Sequence, residues 1–468
     1  MKSWALVPLL SAMVGCAVGP EYHEPRQVPT ARFSNNAQPG IGEGEVVAQF
    51  WKLLDDAQLD QLVQDSLSAN KDLARATASL RAARSAARLS GFDLFPTVTA
   101  DAGYSRSHDS LQQVPTLPAD VSRTFDTYEV GFDATWELDF FGRVRRSTQA
   151  ARAAAGAAEA TLRDAIVSVT GEVARNYCVL RGLQDQLAVA ERNAVNQRQT
   201  LDLTQVRLDA GRGSELDVAR ATAQLATTEA TVPLLRTSIA TTIHRLSVLT
   251  GRQPDALGPD LSAPHAIPAL PAINAIGTPE DLLRRRPDVR IAERNLAAAT
   301  ARIGVNVADL FPRVTLVGSA NYIAGSWNDL GSATSQAYSF GPSITWAAFD
   351  LGRVRARIGI ARAESDAALA AYEGAVLNAL EDTEDSLVNY GESQRRQATL
   401  ERASTQSERA ARLARQRFEG GLSDFLTVLQ AERDALAAED SLAQARTQTA
   451  TSLIAVYKAV GGGWMPQR

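Results

Sequence analysis

Thr127-Tyr128-Glu129-Val130-Gly131-Phe132-Asp133-Ala134-Thr135-Trp136-Glu137-Leu138-Asp139-Phe140, running straight into Phe141-Gly142-Arg143-Val144-Arg145, decides how this chain is read. Through Phe140 the apolar residues Tyr128, Val130, Phe132, Ala134, Trp136, Leu138 and Phe140 alternate with polar ones or glycine. A period of two places them on opposite faces of a strand, one apolar and one acidic. Fourteen residues at ~3.3 Å each reach roughly 45 Å, more than the ~9 to 11 tilted residues a bilayer core requires. The period then changes, and a Pro-free helical tract follows from Arg143 to Asp209. At ~1.5 Å per residue it extends about 100 Å, longer than a compact domain uses. Within it Leu162, Ile166, Val169, Val173, Tyr177, Leu180, Leu183 and Leu187 step by three or four, a seam for a neighbouring helix.

The same text recurs about 210 residues later: Phe141-Gly142-Arg143-Val144-Arg145 as Leu351-Gly352-Arg353-Val354-Arg355, Arg207-Leu208-Asp209-Ala210-Gly211 as Arg417-Phe418-Glu419-Gly420-Gly421, and Leu249-Thr250-Gly251 as Ala459-Val460-Gly461. Asp93-Leu94-Phe95-Pro96 returns as Asp309-Leu310-Phe311-Pro312, so the first hairpin carries the longer loop. Strand partners follow the same alternation: Val98, Ala100, Ala102 and Tyr104, then Val314, Leu316, Ala320 and Tyr322, then Tyr338, Phe340, Ile344 and Trp346. Each repeat reads as a short helix, a hairpin, a long helix and a return helix. The first occupies 51–254, with its hairpin at 96–142, long helix at 143–209 and return helix at 214–250. A linker fills 255–277, and the second repeat runs over 278–463, with hairpin 312–352, long helix 353–419 and return helix 423–460. Helical spacing reads as one periodic run from Leu59 to Leu89; the return helices are about half as long as their partners, so each is expected to stack end to end with the short helix preceding its hairpin (Leu73 to Leu89, or Pro287 to Ala308).

Composition excludes several functions. The 468 residues carry 45% hydrophobic and 6% aromatic residues and a formal net charge of −5, which offers no face for a polyanion such as nucleic acid. Residues 1–15 combine one Lys, a short apolar run and a small-residue end before Cys16, the form of a secretory signal. No later stretch reaches the ~20 apolar residues of a spanning helix, so any later crossing falls to strands. Of the two cysteines, Cys178 is alone once Cys16 is modified, which leaves no intrachain disulfide. The four histidines are scattered and no Cys pair, nucleophile elbow or phosphate loop appears, so neither catalysis, a metal nor a cofactor is called for.

Four strands cannot close on themselves, and unpaired edges are costly in lipid, so closure falls to copies of the chain. On these residues the whole mature chain resembles the TolC-type outer-membrane factors. Cys16-Ala17-Val18-Gly19-Pro20-Glu21-Tyr22 is similar to the start of their NodT-like lipoprotein branch, and the Trp136 to Arg145 segment, both helix-turn-helix tips and the Tyr457 to Trp464 ending match in order. The resemblance implies an α+β membrane protein. Each protomer would give four transmembrane strands and long helices to a homotrimer, with a 12-stranded β-barrel, a 12-rod α-helical barrel and a mixed equatorial belt. It implies a passive exit duct in the outer-membrane lipid, extending into the periplasm and serving an inner-membrane efflux transporter through a periplasmic adaptor (membrane fusion) protein. The alternative from another class is a periplasmic coiled-coil lipoprotein or adaptor that forms no pore.

Three sets of residues are singled out. Met13-Val14-Gly15-Cys16 fits a lipobox, so Cys16 is the expected lipidation site at the head of an N-terminal tether over 16–50; 464–468 is a C-terminal tail. The turns Gly211-Arg212-Gly213-Ser214 and Gly420-Gly421-Leu422-Ser423 reverse the chain after each long helix; Gly supplies the left-handed stop, and Ser214 with Asp217 suggests a capping box. By resemblance these tips (Gly211, Gly213, Ser214, Gly420, Gly421, Ser423) dock the adaptor. The resemblance also puts a constriction at the second tip, formed by Leu426, a carboxylate position held here by Gln430, and Arg433. Asp424, Glu432 and Asp434 are the acids nearby that stand in for the missing carboxylate. The run Glu381, Asp382, Glu384 and Asp385 reads either as a wet helix face or as a lumen-facing patch that favours cations, and in this architecture the two coincide.

Overall fold

The computed structural model describes residues 17–25, 32–34, 47–110, 112, 122–271 and 276–464; the leader 1–15, Cys16 and residues 465–468 of the tail lie outside the described residues. In chain order the elements are α1 (Ala57–Ala69), α2 (Lys71–Phe92), β1 (Thr97–His108), β2 (Thr124–Leu138), α3 (Arg143–Asp209), α4 (Glu215–Leu249), α5 (Gly258–Leu261), α6 (Pro279–Arg285), α7 (Pro287–Ala308), β3 (Arg313–Ala324), β4 (Gln336–Thr345), α8 (Leu351–Glu419) and α9 (Phe425–Ala459). The chain forms two compact units, and each draws on both repeats. Unit one holds residues up to 26, 79–159 and 291–373; unit two holds 27–78, 160–290 and 374–468.

Unit one contains the sheet, in order β1-β2-β3-β4 with all neighbours antiparallel. The alternation that reads through Phe140 stops as a strand at Leu138. The reason is Asp139, whose carboxylate accepts the backbone N–H groups of Val144 (3.1 Å) and Arg145 (2.9 Å), capping α3 and pulling the chain out of the ladder. Gly142, at φ +82°, makes the turn. The two repeats close their hairpins alike: the Trp136 indole donates to the Leu94 carbonyl and the Trp346 indole to that of Leu310, each at 3.0 Å. The helical segments of this unit neighbour one another in the order of the strands. Arg84 pairs with Glu159 (α2 to α3), Arg294 lies against Gly156 (α7 to α3) and Thr300 meets Ser365 (α7 to α8).

Unit two holds the large apolar core. Val169, Val173, Tyr177 and Leu180 of α3 are buried there with Leu59 and Leu62 of α1, Leu246 of α4, Leu387 and Tyr390 of α8, and Leu453 and Tyr457 of α9. Among the described residues this belt is made of short helices and connecting segments around the long ones. Residues in the tether also enter it: Phe33 and Phe50 are buried, as is Trp51 just after it, and the Phe50 ring stacks on Tyr457 at 5.2 Å. Burying such a side chain contributes roughly 1.5–3 kcal/mol, enough to dock a segment that composition alone reads as surface chain. Cys178 is buried in the same core, and burial pushes its thiol up to about 12.

The end-to-end stacking takes a specific form. The single run expected from Leu59 to Leu89 is two helices, parted at Asn70, whose Oδ1 accepts from Asp72 N–H and Leu73 N–H and so caps α2. Its Nδ2 donates to the carbonyl of Leu249, the last residue of α4 (2.8 Å). In the second repeat Arg286 stands between α6 and α7 and donates to the carbonyl of Ala459, the last residue of α9 (3.2 Å). Each joint thus brings a donor to a helix-terminal carbonyl, and at Ala459 the Thr383 hydroxyl adds a second, longer contact (3.5 Å). Gly251 and Gly461, at φ +73° and +74°, turn the chain away behind them.

Candidate functional site

The sheet separates its two faces row by row. One face carries Val98-Ala134-Gly318-Phe340, Ala100-Phe132-Ala320-Tyr338, Trp136-Leu316-Pro342 and Leu138-Val314-Ile344 as cross-strand rows. The other carries Thr99-Asp133-Ser319-Ser339, Asp101-Gly131-Asn321-Ala337 and Glu137-Thr315-Ser343. Acids lie mainly on β1 and β2, whereas β3 and β4 contribute Ser, Thr and Asn. Phe132, Tyr338, Phe340 and Ile344 are well exposed on the apolar face, which no described element covers. Aromatic rings border it at both ends. Tyr104, Tyr128 and Trp327 form one cluster, with centroids 4.9 and 5.9 Å apart, and Trp136 and Trp346 mark the other end. From Tyr128 to Leu138 the strand runs about 33 Å, which at a ~40° tilt projects to roughly 25 Å, the height of the apolar band of an outer-membrane barrel. A periplasmic adaptor packing its sheets in water has no use for such a face.

The two tips are Schellman turns of the same construction. Gly211 (φ +72°) follows α3, with Gly211 N–H donating to the Leu208 carbonyl and Arg212 N–H to that of Arg207. Gly421 (φ +71°) follows α8, with Gly421 N–H donating to Phe418 and Leu422 N–H to Arg417. Gly213 is needed for space, since a Cβ there would lie 2.7 Å from the Leu208 nitrogen. Ser214 caps α4 by accepting from Leu216 N–H (3.1 Å); Asp217 does not complete a box with it. At the second tip the cap is Asp424, which accepts from Thr427 N–H (2.8 Å) and Thr427 Oγ1 (2.7 Å), while Ser423 takes the place of Gly213. Those bonds from Thr427 hold the Asp424 carboxyl below the usual range. Gly211, Gly213, Ser214, Gly420 and Gly421 are exposed and Ser423 is half-buried.

Behind the tips Ala221, Ala414, Phe418, Phe425, Val428 and Leu429 form a small core, with the Arg207 guanidinium 4.0 Å above the Phe418 ring. This leaves Leu426, Gln430 and Arg433 on the exposed stripe of α9, Leu426 at 52% exposure. Gln430 donates to Asp434 (3.0 Å) and Arg433 to Gln224 on α4. Of the acids expected as substitutes for the carboxylate at 430, Asp424 is occupied as a cap and Glu432 points the other way: it is buried, accepting from Thr200 of α3 (2.8 Å) and Arg415 of α8 (2.6 Å). Sequence reasoning missed this three-helix clamp, because a lone Glu in a polar stretch looks like any solvated charge. The run at 381–385 is divided as well: Asp382 meets Arg286 (2.8 Å) and Glu384 accepts from Ser34 N–H (2.6 Å).

Known proteins with this arrangement are consistent in kind. The profile of the Outer membrane efflux protein family matches residues 62–252 and 278–462, one stretch in each repeat. Nodulation protein T of Rhizobium leguminosarum bv. trifolii is 31% identical over 98% of this chain and 97% of its own length. The solvent efflux pump outer membrane protein SrpC of Pseudomonas putida is 30% identical over 99% and 98%. Among solved structures, the outer-membrane channel OprN superposes with a TM-score of 0.90 at 43% identity, covering 96% of this chain and all of that one. The Campylobacter jejuni CmeC outer membrane channel shares the fold at the same TM-score with 19% identity. A two-faced sheet on long paired helices, matched over the whole chain to channels rather than to enzymes or adaptors, places this protein in the outer membrane efflux protein family, on its NodT-type side.

Proposed function

We propose that three copies of the chain close their sheets edge to edge into a twelve-stranded barrel, continued by twelve helical rods, as the passive exit duct of a tripartite efflux system. One observation carries this reading: among the described residues β1 and β4 are edges without a partner strand in a sheet whose one face is apolar and whose other is polar. In lipid such edges are stable only when paired, and cyclic closure pairs them all while turning the polar face onto water. The tips Gly211 to Ser214 and Gly420 to Ser423 dock a periplasmic adaptor, which connects the duct to an inner-membrane transporter that supplies the work. The exposed stripe of Leu426, Gln430 and Arg433 forms the constriction. With Gln430 tied to Asp434 and Asp424 used as a cap, that constriction closes by apolar packing and dewetting of Leu426 more than by a carboxylate ring. Acylation of Cys16 anchors the chain to the same membrane. Relatives are named for solvent, toluene and pyoverdine export, which supports a common duct whose cargo is chosen by the pump.

The test is single-channel recording on protein extracted from outer membranes as a heat-sensitive trimer. Leu426→Ser is expected to raise conductance of the closed state several-fold. A protein that purifies as a folded monomer without detergent would refute the duct, and unchanged conductance in Leu426→Ser would refute the assigned constriction.

A further inference from the structure

We propose that residues 17–25 are a docked strap that clasps the two repeats together within unit one, and are not a slack tether. Unit one is assembled from three separate stretches of chain, so no covalent link inside it joins its two halves. The β2–β3 ladder joins them in the sheet. In the helical part the buried apolar contact between α3 and α7 includes Ala153 against Ala297 and Ala298, with Gly156 facing the Arg294 stem and Gly304 the Arg146 stem beside it. Small residues let helices approach closely but bury little apolar area, so these alanines by themselves contribute little.

The strap adds what the seam lacks. Val18 N–H donates to the Phe141 carbonyl (3.1 Å), and Arg146 of α3 donates to the carbonyls of Val18 (3.2 Å) and Gly19 (3.3 Å). Both repeats make room for it: a Cβ on Gly142 would lie 2.6 Å from the Ala17 Cα, and one on Gly19, which sits at φ +89°, would lie 2.5 Å from the Gly304 Cα. The Tyr22 ring then packs on the alanine seam, and its hydroxyl donates to Glu293 of α7, a carboxylate only 1% exposed. Arg294 also pairs with both oxygens of this carboxylate, so the Tyr22 hydroxyl adds one further bond to an ion pair that stays in place, and α7 loses that bond, not its whole compensation, when the strap leaves. Repeat one supplies Gly142 and Arg146, repeat two supplies Glu293 and Gly304, and the strap binds only where both are correctly placed. It therefore acts as a clasp that closes when the repeats have come together.

Peptide-resolved hydrogen exchange on the full-length detergent-extracted protein tests this, and it reads unit one whether or not the protein forms a pore. In the wild type the strap amides are expected to be protected. Gly19→Val and Tyr22→Ala should speed exchange at least about tenfold in the strap and also along the α3–α7 seam, with the trimer dissociating at a lower temperature, while Glu21→Ala at an exposed strap position should match the wild type. Strap amides exchanging at the free-chain rate in the wild type would overturn the proposal, as would a freed strap with an unchanged seam. If the variants do not accumulate, a protease site placed within 35–46 allows the wild-type chain to be cut after folding. Continued protection of the severed strap supports the clasp, and its release with no effect on the seam refutes it.

Discussion

Arg286 offers the sharpest test of how the helices are joined, because its partners can be weighed one by one. Its guanidinium holds both oxygens of Asp288 (3.0 and 2.7 Å), one of Asp382 (2.8 Å) and the carbonyls of Ala379 (3.3 Å) and Ala459 (3.2 Å). The Arg286 side chain is 10% exposed, Asp288 36% and Asp382 58%, so solvent screens the two ion pairs unequally. The Asp382 arm is near-surface and contributes at most about 1 kcal/mol. The forked Asp288 contact, partly screened, contributes about 1–2 kcal/mol. Of the carbonyls, Ala379 also accepts from Thr383 at 2.9 Å and Ala459 from the same hydroxyl at only 3.5 Å, so the Ala459 bond is the larger loss, at about 1 kcal/mol. Arg286→Met keeps the apolar stem and removes these bonds, and should loosen the α9–α7 joint by about 3 kcal/mol. At about 1.4 kcal/mol per tenfold, amides of Val460, Gly461 and the first turn of α7 should exchange roughly a hundredfold faster. Arg286→Lys, which keeps the charge without the fork, should recover about half of the loss in free energy. A change below about threefold in Arg286→Met would refute the account of the joint.

Three further outcomes follow from the same geometry. Asp164 lies close to Asp288 in the cavity beside this joint, and burial followed by the charge of Asp288 raises its carboxyl above the usual range. The folded state therefore favours the protonated form, and its ionised form destabilises fully only above the raised value. Asp164→Asn should stabilise the protein near pH 8, and the gain should fade as pH falls toward ~4; a pH-independent effect in denaturant titrations would contradict this. Gly421→Val forces a β-branched residue to φ +71° and should cost about 1–3 kcal/mol at the second tip, read as faster exchange there and as lost drug tolerance in cells; wild-type tolerance together with wild-type exchange would remove the tip from the proposed docking role. Glu432→Gln keeps the shape but not the charge that holds Arg415, and should weaken the clamp by about 1–2 kcal/mol and raise closed-state conductance; a stable variant with unaltered recordings would dismiss the clamp as a restraint on α9.

Period carries information that a single chain can display. The alternation at Thr127 to Phe140, the uninterrupted tract from Arg143 to Asp209 and the glycines at 211 and 421 state local geometry in their own spacing, and their recurrence about 210 residues on made the architecture readable. Limits appeared where polar side chains intervened: Asp139 ended a strand two residues before its alternation did, and Asn70 broke one periodic run into two helices. Such residues act through hydrogen bonds to specific backbone atoms, which composition does not reveal.

The sequence by itself determined the two-faced hairpins, the long helices, the exposed turns and the need for further copies to finish the sheet, because each follows from periodicity or from the conformational freedom of single residues. Only the tertiary structure decided that Arg286, Glu432 and Asn70 are internal staples and that residues 17–25 are a bound strap. Whether a charged or amide side chain faces water or is buried depends on partners hundreds of positions away, such as Ala459 for Arg286 and Thr200 for Glu432, and those meet only when the chain has folded.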